Sequence, residues 1–151
     1  MQKGTLAGIA ALRAAAVAVA AGGAGAAPKA GSIQKIQAVL STTEVVPKPE
    51  TVIPGETGQF TGTWDGQIIR YTLTWKGMSG QAMNAQIRIG ARKKAGPIAQ
   101  PLCVPCISPE TGVVPLTPPQ AAALKAGRLY VSISSVADPD GELRGQISFV
   151  K

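Results

Sequence analysis

The stretch "IIRYTLTW", residues 68–75, places Ile69, Tyr71, Leu73 and Trp75 on one side of an extended chain and Arg70, Thr72 and Thr74 on the other. Successive side chains of a strand point to opposite faces, so this alternation predicts a strand with one buried face and one wet face. Upstream, "GQFTGTW" (58–64) sets Phe60 and Trp64 against Gln59, Thr61 and Thr63, and the Asp-Gly pair at 65–66 suits a tight hairpin between the two runs. Downstream, "NAQIRIG" (84–90) alternates Ala85, Ile87 and Ile89 with Asn84, Gln86 and Arg88. The same period appears in "SIQKIQAVLS" (32–41), "RLYVSISSV" (128–136) and "ELRGQISFV" (142–150). Trp75, on the apolar side of its run, is expected in the core.

The breaks between these runs have turn chemistry. "EVVPKPETVIPGETG" (44–58) holds three prolines and reads as an exposed connection or edge segment, because proline cannot donate to a ladder. "ADPDGE" (137–142) supplies Pro139 and Gly141 for a turn. One helix is expected in "TPPQAAALKAG" (117–127), with Thr117 as N-cap, Pro118 at the first helical position, Gln120 completing a capping box and Gly127 ending the helix. The sum is an all-β domain, an antiparallel Greek-key-like sandwich or partly closed barrel of about seven or eight strands with one short helix.

The 151 residues suit one such domain behind an extension. Residues 1–27 read as a signal peptide, with Lys3 near the start, an apolar run at 14–21, and "AGA" at 24–26 before a cleavage point near Ala27. Arg13 interrupts the apolar stretch, which therefore falls short of the roughly 20 uncharged residues of a membrane anchor. The expected product is a secreted or periplasmic domain of residues 28–151. Removing Lys3 and Arg13 from the 15 basic residues leaves 13 against 8 acids, a net charge of +5.

The composition excludes several chemistries. There is no histidine, so neither a Ser-His-Asp nor a Cys-His triad can form, and imidazole-type metal sites are excluded too. The two cysteines, Cys103 and Cys106 in "CVPC", lack the further soft ligands of a zinc site, and "ISPETG" after them reads as a loop rather than the helix of a redox dithiol. In an exported protein such a pair is expected to form a local disulfide, with a reactive dithiol as the alternative. Asp138, Asp140 and Glu142 alternate as in a calcium loop, but the remaining oxygen ligands are missing, and the expectation is a hairpin turn with its acids in water. The one basic cluster, "ARKK" (91–94), has no interleaved aromatics and does not suggest a nucleic-acid groove.

"YTLTWKGMSG", "AQIRIGA" and the block "LTPPQAAALKAGRLYVSISSVADPDGELRGQISF" together resemble the CHRD domain family, over about residues 36–149. The resemblance implies an extracellular sandwich of immunoglobulin-like or superoxide-dismutase-like form. It also implies that Gly141, Glu142, Arg144 and Gly145 belong to a fold signature. Family members often carry histidines at the positions occupied here by Gln86, Arg88 and Ser134. If those form a metal site in the family, it is lost in this chain.

On the last run Glu142, Arg144, Gln146 and Ser148 share one face, opposite Leu143, Ile147 and Phe149. The expectation is a wet face, on which Glu142 and Arg144 make a lateral surface pair worth about 0–1 kcal/mol. Gly145 inside the strand marks a close approach, expected from Trp64 or Trp75. The functional expectation is a non-enzymatic binding or structural module without a cofactor, meeting an unknown extracellular protein or polysaccharide. The alternatives are a metal- or redox-handling protein and a binder of anionic polysaccharide through Arg88, Arg92, Lys93 and Lys94.

Overall fold

The computed structural model describes residues 32–151, so the leader reading lies outside the described residues. Nine strands form two antiparallel sheets: β1 (Gln34–Leu40), β2 (Thr57–Trp64), β3 (Ile68–Lys76), β4 (Ala82–Ile89), β5 (Ile98–Cys103), β6 (Glu110–Pro115), β7 (Leu129–Ser135), β8 (Leu143–Gln146) and β9 (Ser148–Phe149). The five-stranded sheet has the order β6-β3-β2-β1-β9 and the four-stranded sheet the order β5-β4-β7-β8. The all-β sandwich read from alternation is the fold. The run at 142–150 supplies two strands, because the chain leaves one sheet after Gln146 and joins the other at Ser148.

The local devices behave as their residues dictate. Asp65 Oδ1 accepts from the backbone N–H groups of Gln67 (2.9 Å) and Ile68 (2.7 Å), and Gly66 takes the left-handed conformation at φ 102°, closing the β2–β3 hairpin. Those two backbone donors hold the Asp65 carboxyl below its usual range. The helix α1 (Pro118–Lys125) carries the expected capping box, with Thr117 Oγ1 accepting from Gln120 N–H and Gln120 Oε1 accepting from Thr117 N–H. It buries Leu124 against the sandwich.

Ile36, Leu40, Phe60, Ile69, Leu73, Ile87, Leu129, Ile133, Leu143 and Ile147 fill the space between the sheets. Phe60 and Tyr71 stack at 5.6 Å, and Gly112 faces Tyr71 across the β3–β6 ladder, where an added Cβ would lie 2.7 Å from the phenol oxygen. Trp64, 4 % exposed, packs against Phe149 with centroids 5.9 Å apart. Trp75 departs from expectation: it stands near the end of β3 and is only half-buried, because the covering layer ends there. Trp75→Ala should therefore cost about 1–2 kcal/mol, below the roughly 3–5 of a fully buried aromatic, as read by urea denaturation.

The close neighbour of Gly145 is not a tryptophan. A Cβ there would stand 2.3 Å from the carbonyl oxygen of Val39 and 3.1 Å from Leu40 Cα. The backbone of β1 itself occupies the space, because β8 sits at the seam where the two sheets meet. Ser41 and Arg144 exchange backbone hydrogen bonds at this seam, 2.9 and 3.1 Å long.

Candidate functional site

The outer faces of the two sheets differ, and this difference decides what is available for function. On the four-stranded sheet every residue of β7 is buried, on both sides. Loop 90–96 and the segments after β1 and β7 cover its outer face. Glu142 and Arg144 lie beneath this cover, 0 % and 2 % exposed, which corrects the expected wet face. They do not pair with each other. The one ion pair among the described residues joins Arg92 to the half-buried Glu44 at 3.1 Å.

Arg144 holds loop 90–96. Its two terminal nitrogens donate to the carbonyls of Ala91 and Lys94, each at 2.8 Å, and its guanidinium lies 3.6 Å from the Tyr130 ring centroid. Tyr130 Oη in turn accepts from Gly96 N–H at 2.9 Å, and Gln146 Nε2 donates to the carbonyls of Gly90 and Gly127. Burial lowers the Arg144 pKa, with the Tyr130 and Glu44 charges opposing it.

Glu142 holds another set of turns. Its Oε1 accepts from Ser79 N–H at 2.6 Å, and its Oε2 accepts from Ser79 Oγ (2.8 Å) and from Ser135 Oγ. Burial pushes its carboxyl up, but the hydroxyls of Ser135 and Ser79 and the Ser79 N–H outweigh that, and the net shift is downward. Asp138 is also buried, 5 % exposed, with Oδ1 accepting from Glu50 N–H at 2.8 Å, so this part of the turn is not in water as expected. Sequence reasoning missed Ser79 and Ser135 as partners, Ser79 because it reaches Glu142 through tertiary packing from the turn after β3, and Ser135 because it meets Glu142 across the turn between β7 and β8.

The basic quartet is partly used within the chain. Arg92 pairs with Glu44, Lys93 Nζ donates to the carbonyl of Thr43, and Arg88 is half-buried with its Nε enclosed and unpartnered. Lys94 is exposed, though its carbonyl is held by Arg144.

The outer face of the five-stranded sheet is open. Gln37, Thr61, Thr72 and Thr111 stand opposite one another in one cross-strand row over β1, β2, β3 and β6, and Lys35, Thr63, Arg70 and Val113 form the next. A shallow depression of about 600 Å³ runs over both rows, and none of the residues lining it is acidic. Lys35 and Arg70 are exposed, two strands apart, which puts their bases roughly 10 Å from each other. The Thr-x-Thr pairs at 61–63 and 72–74 were the signal in the sequence for this face.

A family model described as the CHRD domain matches residues 36–147, most of the chain. This protein belongs to the CHRD domain family. No curated protein and no solved structure matches it.

In this CHRD domain, Gln86, Arg88 and Ser134 share the outer face of the four-stranded sheet. Ser134 lies opposite Asn84 and donates to its Oδ1 at 2.7 Å. An amide, a guanidinium and a hydroxyl already engaged by Asn84 are a poor donor set for a transition metal, and the arginine's charge opposes a cation. The residues do not fit a metal there, and no cluster of metal-ligating side chains occurs among the described residues. Cys103 and Cys106 are joined in a disulfide spanning a separation of 3 at the end of β5, and Cys106 is buried against the core. The bond and the family together suit an extracellular domain. Among the described residues no helix is long and apolar enough to cross a membrane.

Proposed function

We propose that this CHRD domain is an exported, non-enzymatic binding module that engages an acidic polysaccharide on the open face of its five-stranded sheet. The observation that carries the reading is the contrast between the two outer faces. Glu142 and Arg144, the acid and base that invite a catalytic reading, are both occupied in holding turns. The Thr-rich face instead offers hydroxyls and amides to sugar hydroxyls and sets Lys35 and Arg70 among them, with no acid in the lining of the depression and Asp65 of the adjoining hairpin the carboxylate that Arg70 influences. Flat polar sheets of this kind suit an extended chain bound by many weak contacts, and the exposed cations give it a salt-sensitive preference for a polyanion. Loop 91–94 is the weaker candidate, since two of its cations are satisfied within the chain.

Retention on an immobilised polyuronate at low and high salt separates the two surfaces. The double variant Lys35→Glu/Arg70→Glu should weaken binding by about tenfold, at roughly 0.7 kcal/mol for each exposed contact. Lys93→Glu/Lys94→Glu should retain it. The reverse pattern would assign binding to the loop, and no retention of the unaltered protein even at low salt would refute the proposal.

A further inference from the structure

Three carboxyl groups are buried together where the connection between β1 and β2 packs on the turns after β3 and β7. Glu56 is 8 % exposed, Asp138 5 % and Glu142 0 %. No lysine or arginine among the described residues forms an ion pair with any of them. The charged residues on the elements packed here, Lys48 and Glu50 on the connection, Lys76 at the end of β3 opposite Thr57, and Asp140 on the turn, have exposed side chains. Buried carboxylates without a counter-charge are costly, so something else must compensate them.

The hydrogen bonds show where compensation is complete and where it is lacking. Glu142 takes three donors, from Ser79 N–H, Ser79 Oγ and Ser135 Oγ, which is the environment of an ionised carboxylate. Ser135 Oγ, while donating to Glu142, also accepts from Asp138 N–H at 3.2 Å, which ties the two turns together. Glu56 has one donor, the Ile53 N–H at 3.1 Å on Oε1, while its Oε2 is enclosed with no donor at all. Glu56 packs against Gly77, whose added Cβ would lie 3.4 Å from the Glu56 Cα, and two residues further on Ser79 holds Glu142 through its N–H and Oγ, so both buried carboxyls belong to one packed turn. Two carboxylates there repel each other, whereas a carboxylic acid can donate to a carboxylate.

We propose that Glu56 carries a proton which it donates to Glu142, and that this bond clasps the connection 45–56 onto the sandwich in a pH-dependent way. Burial is the largest influence raising the Glu56 carboxyl above its ordinary 4.5; the Ile53 N–H opposes it, and the Glu142 and Asp138 charges add to it. A raised folded pKa means that the contribution of Glu56 is present below about 4.5 and lost as pH rises through the folded value. Glu142, depressed, acts in the opposite sense: its contribution is present above about 4.5 and lost as pH falls through its own folded value. The clasp is therefore tightest between these limits and opens on the alkaline side through Glu56.

The test is amide hydrogen exchange of the full chain between pH 5 and pH 9, expressed as protection factors so that intrinsic base catalysis is removed. Protection of residues 45–56 should fall with pH by up to about tenfold per unit until the Glu56 midpoint is passed, then level off. Glu56→Gln, whose amide donates permanently, should keep the segment protected across the range while β4 and β7 are unchanged in both proteins. If protection in the unaltered protein does not vary with pH, or if Glu56→Gln lowers it equally at pH 5 and pH 9, the proposal is wrong. Carbon-13 titration of the Glu56 carboxyl gives an answer that needs no variant: a midpoint at or below 4.5 would overturn it.

Discussion

Gly145→Ala should strip the protein of most of its stability or unfold it. The added methyl would meet the Val39 carbonyl oxygen at 2.3 Å and its carbon at 2.7 Å, both atoms of a backbone that cannot turn aside as a side chain would. The only relief is to move β8 away from β1, and that separation breaks the paired backbone bonds between Ser41 and Arg144 that join the two sheets. Overpacking of a core ordinarily costs about 1–3 kcal/mol, and a clash with immovable backbone lies above that range, at roughly 4 or more. Against a total stability of about 5–15 kcal/mol, that is enough to lose the fold or most of its thermal margin. Gly80→Ala is the control, because its Cβ meets nothing within 4 Å. A Gly145→Ala protein that is soluble, with a circular-dichroism melt close to that of the control, would show the seam to be looser than described.

Glu142→Ala is expected to lower stability by roughly 3–5 kcal/mol, since it strands three buried donors and removes the charged acceptor that organises them. An exposed glutamate in a surface pair would cost no more than about 0.5–1 kcal/mol on replacement. Urea denaturation at pH 7 distinguishes the two outcomes. The loss should be smaller below pH 4.5, where protonation of Glu142 has already removed part of its contribution. A loss that does not shrink on acidification would mean that Glu142 acts through its volume rather than its charge.

These two residues mark the boundary of what the chain reveals before it is folded. The alternation at 142–150 correctly separates Leu143 and Ile147 from Glu142, Arg144 and Gln146. It does not say what the polar face meets. That depends on loop 90–96 and on the turn after β3, segments some 50 or more residues away that reach the same sheet face. Gly145 likewise announces a close approach, but the approaching group is the backbone of a strand some 105 residues earlier, not a tryptophan. On β1, β2 and the first part of β3 the same reasoning holds, with polar residues such as Gln37, Thr61 and Arg70 exposed; it overstates the burial of Trp75 and misses β6, whose first residues it reads as a loop.

What the sequence determined by itself is everything set by neighbours in the chain. It specified the period-two strands, the Asp65-Gly66 hairpin, the capping box at Thr117 and Gln120, the short-range cysteine pair and the membership of the inward rows. Tertiary structure alone decided which polar face stays open and which is roofed, and hence that Glu142 and Arg144 are internal ties whereas Lys35 and Arg70 are free. The physical reason is that a strand's side-chain period sorts residues into two sides locally, whereas the dielectric on each side is set by segments distant in sequence that fold back over it.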